Sequence, residues 1–174
     1  MKIKQWGQAV AGCALLICAA GGVLVSQEKQ EKAAAPAAKK AVAAPAAFIG
    51  TPDKLKWVAF VPGVEEAEVY GNCEKPGAPC VFQLRFADGA KLAPHWHPVD
   101  ENVTVLSGTF VAGMGDTLDE SKAATMPAGT YVFMPKKMHH FAMAKGATVV
   151  QVHGVGPFKM MWVHPEDDPA KAKK

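Results

Sequence analysis

From Phe48 onward the chain alternates short apolar runs with glycine or proline. The runs read "WVAFVPG", "EAEVYG", "CVFQLRFADG", "NVTVLSGTFVAGMG", "GTYVFMP", "HHFAMAKG", "TVVQVHGVGP" and "FKMMWVH". They are rich in Val, Phe, Thr and Tyr and end at turn residues, which marks strands rather than helices. One stretch breaks the pattern: "DTLDESKAATMPAG" is charged and alanine-containing, and carries one helical turn or none. Regularly spaced short strands predict an all-β domain, as a sandwich, jelly roll or barrel.

The alternation also assigns faces. In "VFQLRF", Gln83 and Arg85 share one face and Phe82, Leu84 and Phe86 the other, because successive side chains leave a strand on opposite sides. In "VVQVHG", Gln151 and His153 likewise oppose Val150 and Val152. Each polar face has two readings. Turned inward, Arg85 would clamp a carboxylate in bidentate fashion and His153 would serve as a pocket base or donor. Turned outward, Arg85 pairs with a surface acid and His153 is satisfied by backbone. Arg85 and His153 are the candidate catalytic residues on these grounds.

The N-terminus differs in kind. Lys2 and Lys4 precede an uncharged run, Ala9 to Val25, and a polar segment follows. That is the layout of a secretory signal, and the run is also near the minimum for an uncleaved membrane anchor. The next segment, "EKAAAPAAKKAVAAPAA", is an Ala/Pro/Lys tether with no apolar period. The expected organisation is therefore a signal peptide or N-terminal anchor (1–25), a flexible linker (26–47), a β-barrel domain (48–165) and a polar tail (166–174). The expected location is exported, either periplasmic or held on the inner membrane facing the periplasm.

Composition narrows the function classes. With 49% apolar and 20% charged residues the chain can bury a sizeable core. Its net charge of +3 comes from the ends, since Phe48 to Pro165 holds ten basic against eleven acidic residues. A nucleic-acid face would need basic residues clustered on the folded part, so no nucleic-acid partner is expected. Cys13 and Cys18 fall in the leader; Cys73 and Cys80 flank the turn-rich "EKPGAP" and should pair in an oxidising compartment, for roughly 2 kcal/mol of stability. Five methionines (Met134, Met138, Met143, Met160 and Met161) read as core filler rather than as a copper-handling array.

The densest chemistry lies in "GAKLAPHWHPVDENVTVLSG", Gly89 to Gly108. His95 and His97 are two apart and leave an extended chain on the same face. Pro94 and Pro98 bracket them and place the segment at a strand end or turn. If Glu101 points inward, so do Val103 and Val105. Two imidazoles and a carboxylate converging from a sheet end suit non-haem iron, and equally Mn, Ni, Zn or Cu.

The spacing Gly89, five residues, His95-x-His97, three residues, Glu101, six residues, Gly108 resembles the first motif of the cupin family at every defining position. The second cupin motif is met by Gly129, Pro135 and His140, with Lys137 in place of a glycine and Ala144 in place of an asparagine. The resemblance spans Gly89 to Ala144. It implies a small antiparallel jelly-roll barrel, with His140 as the fourth ligand of one divalent transition metal beside His95, His97 and Glu101. His139 then points to the other face.

The resemblance leaves several functions open. A metal-dependent enzyme on a small organic molecule, of dioxygenase type, asks least of this sequence. A non-catalytic periplasmic module that binds or senses a small molecule or metal ion is the alternative, and a barrel merely stapled by its metal is a third. A homodimer is expected by analogy.

Overall fold

The computed structural model describes residues 46–171. The signal or anchor, most of the linker and the last three residues lie outside that span. Among the described residues no helix is long and apolar enough to cross a membrane.

The strands are β1 (Val58–Val61), β2 (Val64–Gly71), β3 (Pro79–Phe86), β4 (Lys91–Trp96), β5 (Glu101–Met114), β6 (Ala124–Pro127), β7 (Tyr131–Met134), β8 (His140–Val155) and β9 (Met161–Trp162). Every pairing is antiparallel. The fold is the all-β cupin jelly roll that the strand pattern and the motif resemblance imply, a curled sheet wrapped around one apolar interior.

Two long strands organise it. β5 has 14 residues and β8 has 16, and they pair along nearly their whole length, from Asn102↔His153 to Met114↔His140. Each is shared by the two halves of the curled sheet. The C-terminal half of β8 also pairs with β3, and the N-terminal end of β5 with β7. The N-terminal end of β8 pairs with β4, and the C-terminal part of β5 with β6.

The two halves meet at a bend where the β5–β8 register shifts between Val105 and Thr109. Gly108 sits there at φ +75°, and a methyl group on it would lie 2.3 Å from the Ala147 carbonyl oxygen. Only glycine fits a position that is both left-handed and in close backbone contact. Across the bend the fully buried Thr148 hydroxyl accepts from Thr109 N at 3.1 Å and contacts the carbonyls of Thr109 and Gly146 at 3.2 and 3.0 Å.

Side-chain alternation fills the interior as the sequence pattern predicts. Phe82, Leu84 and Phe86 from β3, Val103 and Val105 from β5, and Val150 and Val152 from β8 share one core. The opposite face of the β8 start is covered as well: Phe141 and Met143 pack with Val111 beneath Leu118 and Ala123. The charged stretch supplies that cover. It holds one short 3-10 turn, Glu120–Lys122, capped by Asp119 accepting from Ser121 N. Its end forms β6, a strand the sequence pattern did not reveal because only Met126 of its residues is buried.

Cys73 and Cys80 form the expected disulfide.

The bend makes a direct prediction. Gly108→Ala should lower unfolding stability by at least about 2 kcal/mol, since left-handed strain adds to a backbone clash. Gly89→Ala, at φ +70° with nothing within 4 Å of the new methyl, should cost only about 1 kcal/mol. Urea unfolding of both variants checks the ranking; equal losses would mean that the close approach at the bend is not what demands glycine.

Candidate metal centre

The site is built where β4, β5 and β8 begin or end near one another. His140 opens β8 and faces His95 of β4 directly across the ladder. Glu101 opens β5, opposite Met134 of β7. His97 follows β4 by one residue.

The aim of the β4 side chains depends on Pro94. The His95–His97 segment lies at the end of β4, as expected, while Pro94 itself is inside the strand. The β4–β8 register steps from Leu92↔Ala142 to His95↔His140, so one extra residue on β4 is accommodated as a bulge. Pro94 lacks the N–H that a regular ladder would require, and the bulge absorbs this lack. It also re-aims the strand, so that Leu92, His95 and His97 are all buried.

His95, His97, Glu101 and His140 are the principal polar groups of the interior, with 2%, 4%, 7% and 3% of their surface exposed. One ring nitrogen from each histidine lies within 4.8 Å of the others. Glu101 Oε2 is 3.2 Å from His140 Nε2 and 3.7 Å from His97 Nε2. His95 is not within such reach of the carboxylate, so the tight cluster is the histidine trio and Glu101 joins it at one side.

The hydrogen bonds fix the chemistry of this cluster. His95 Nδ1 donates to Ala93 O at 2.7 Å, His97 Nδ1 to Lys159 O at 2.9 Å and His140 Nδ1 to Met138 O at 3.0 Å. A carbonyl can only accept, so each Nδ1 carries a proton and each ring turns its Nε2 inward. His97 Nε2 is buried with no hydrogen-bond partner. Burial, reinforced by the adjacent His140 and His97 rings, pushes the His95 imidazole well below its ordinary 6.5. Burial also lowers His97, against the pull of Glu101 and the Lys159 carbonyl. Three imidazole nitrogens and one carboxylate thus converge in the interior, with His97 Nε2 left without a partner. Such a set is unfavourable alone and complementary to a cation, so these residues fit the metal that the fold implies.

The motif positions that depart from the family pattern are also accounted for. Lys137 stands at φ +65°, the left-handed conformation that glycine would adopt freely, and its N–H donates to His97 O at 2.8 Å. Ala144 is buried and pairs through its backbone with Gly89 and Ala90.

Several neighbouring residues lie outside the site. His139 points outward, as the alternation implies; it pairs with Asp116 at 2.6 Å and stacks near Trp96. The inward readings of Arg85 and His153 do not hold. Arg85 is solvent-facing, bonded to Glu65 at 2.8 Å through Nε and lying 4.4 Å over the Trp57 ring. His153 is exposed and contacts Gln151 at 2.8 Å. Both belong to the faces opposite Phe82/Leu84 and Val150/Val152, which the core claims; hydrophobic burial decides the orientation.

Beside the histidines opens a cavity of about 1020 Å³, walled by Phe82, Leu84, Val103, Val150 and Val152 and reached past Lys54 and Glu68. It holds a residue that sequence reasoning missed. Glu66 on β2 pairs directly with Leu84 of β3, so both side chains take the cavity face. Burial, with Glu68 nearby, raises its carboxyl above the ordinary 4.5. The signal was present in "VEEAEV", where Val64, Glu66 and Glu68 alternate, but three acids within four residues give no hint that one is turned inward.

Fold and centre together define a cupin. Residues 45–159 match the ChrR cupin-like domain family, and the chain belongs to that family. No curated protein matches the chain in sequence. Among solved structures it is similar to KdgF from Halomonas sp., at 19% identity and TM-score 0.52 over 63% of this chain and 94% of that one. It also resembles the polyketide cyclase RemF from Streptomyces resistomycificus, at 14% identity and TM-score 0.59 over 72% and 92%. An oxalate oxidase is similar at 23% identity and TM-score 0.51 over 67% and 63%. These likenesses concern the fold.

Glu66 generates a pH prediction. Because its folded pKa is raised, its contribution to stability is fully present below about pH 4.5 and is lost as the pH rises through the folded value. Glu66→Gln mimics the protonated acid at all pH values. Its melting temperature should therefore match the parent's near pH 4 and exceed it increasingly toward pH 7. A difference independent of pH would refute the burial of this carboxyl.

Proposed function

We propose that this cupin is a metal-dependent enzyme of dioxygenase type. It would hold one divalent transition metal on His95, His97, Glu101 and His140, and act on a small organic molecule in the adjoining cavity. The observation that carries the reading is the buried convergence of three imidazole nitrogens and one carboxylate.

A bound ion supplies Lewis acidity and, when it is iron or another redox-active metal, access to O₂. The chain's residues supply the remainder. Phe82, Leu84, Val103, Val150 and Val152 offer an apolar wall that excludes water and takes the body of a ligand. Glu66 can hold or accept a proton at its carboxylate. The cavity lining includes no hydroxyl side chain, and its one cysteine, Cys73, is in the disulfide. No hydroxyl or free thiol is thus at hand for acyl transfer of the serine or cysteine type, which accords with oxygenase chemistry.

A module that only retains an ion needs no cavity of this size, which favours the enzyme over a closed ion binder. Relatives named oxalate oxidase and polyketide cyclase act, by their names, on small organic molecules, in accord with the substrate class. The disulfide supports an oxidising compartment, and with the N-terminal pattern it underlies our proposal of export to the periplasm, free or membrane-held.

The test is elemental analysis of the full chain, purified without chelator or metal-affinity tag, beside His140→Ala and His139→Ala. The parent and His139→Ala should carry about one equivalent of transition metal, and His140→Ala should lose most of it. Iron in the parent should then be accompanied by O₂ uptake with a suitable organic acid or phenol. A parent that takes up no metal even after reconstitution would overturn the proposal.

A further inference from the structure

The three histidines are not oriented in the same way. His95 and His140 each donate to a carbonyl two residues earlier in their own segment, Ala93 and Met138. His97 donates instead to Lys159, 62 residues away. Its aim therefore depends on where the segment Gly156–Lys159 is held.

That segment is held by the disulfide loop. Gly77 N donates to Gly156 O at 2.9 Å, Gly156 N to Ala78 O at 2.9 Å and Phe158 N to Cys73 O at 2.8 Å. The approach is close: a methyl group on Gly156 would lie 2.4 Å from the Lys75 carbonyl oxygen, 2.9 Å from that of Asn72 and 3.0 Å from that of Cys73. Phe158 then reaches the site itself, its ring 4.5 Å from the His97 ring and 5.2 Å from Phe82. Gly154 leaves room for that ring, since a methyl group there would meet it at 2.6 Å.

We propose that the Cys73–Cys80 loop is the positioning device for His97, acting through Phe158 and the Lys159 carbonyl. The inference rests on the metal reading above and adds to it a remote determinant of metal retention. Cutting the bridge leaves the orienting bonds of His95 and His140 in place and loosens only the third. Groups that orient a ligating histidine commonly change metal affinity by about 10- to 100-fold when lost.

The experiment compares the disulfide-bonded full chain, Cys73→Ser/Cys80→Ser and Gly108→Ala, each loaded with Co(II) and challenged with excess chelator. The double serine variant should release Co(II) about tenfold faster than the parent, with an altered Co(II) absorption band. Gly108→Ala, destabilised at a bend outside the site, should release at the parental rate. In the metal-free proteins, histidine ring ¹⁵N shifts should show His97 protonated at Nδ1 in the parent and a mixture of tautomers in the serine variant. Equal release rates with an unchanged His97 tautomer, or the same acceleration in Gly108→Ala, would overturn the proposal. A parent that binds no Co(II) would remove the metal reading itself, and this inference with it.

Discussion

A carboxylate and three imidazole nitrogens aimed at one another inside an apolar barrel are the constraint on which this structure turns. Buried acceptors repel unless something positive or a donor stands between them. The apolar wall of Phe82, Leu84, Val103, Val150 and Val152 carries no polar hydrogen to offer them. The backbone is what keeps the arrangement in place. Three main-chain carbonyls take the Nδ1 protons and so prevent the rings from rotating to satisfy each other. The barrel thus spends some of its polar-group satisfaction to preserve an interior suited to a cation.

The second organising element is distance along the chain. The histidine trio comes from two stretches separated by a hairpin and a charged loop, and is brought together only because β4 and β5 flank β8 on its two sides. The covered outer face of the β8 start, with Phe141 and Met143 beneath Leu118 and Ala123, fixes His140 from behind. The mouth is different. β1 is an edge strand, paired only with β2, and β2 brings Glu66 to the cavity. Rigidity thus lies at the histidine side and a less constrained rim at the other.

Much of this was legible in the sequence for a physical reason. A strand has a period of two, so His95-x-His97 and Glu101-x-Val103-x-Val105 declare their common face without further information. Parity also separates His140 from His139, but the choice of His140 came from its place in the second motif, after Gly129 and Pro135. What parity cannot state is which of two faces is the inner one. Gln83/Arg85 and Gln151/His153 alternate as regularly as their apolar neighbours, and only the packing of Phe82, Leu84, Val150 and Val152 sends them outward. Glu66 was hidden for the converse reason. Its flanking acids suggest a solvated strand, yet its partner Leu84 turns it toward the interior. Pro94 and Pro98 rightly placed His95 and His97 at a strand end; the bulge that admits Pro94 into β4 is a property of the pairing with β8 and has no signature of its own.

The sharing of β5 and β8 between the two halves of one curled sheet has a consequence for how the protein comes apart. In a sandwich of two separate sheets, one layer can loosen while the other persists. Here the same pair of strands carries backbone ladders on both sides of the Gly108 bend, so neither half has an independent equilibrium. Amide hydrogens along β5 and β8 belong to one cooperative unit, exchanging only when the whole domain opens, while the β1 edge exchanges through local fraying. Because the pairing is formed between distant parts of the chain, that unit also assembles late and slowly, and the interior acceptors meet only once it has closed.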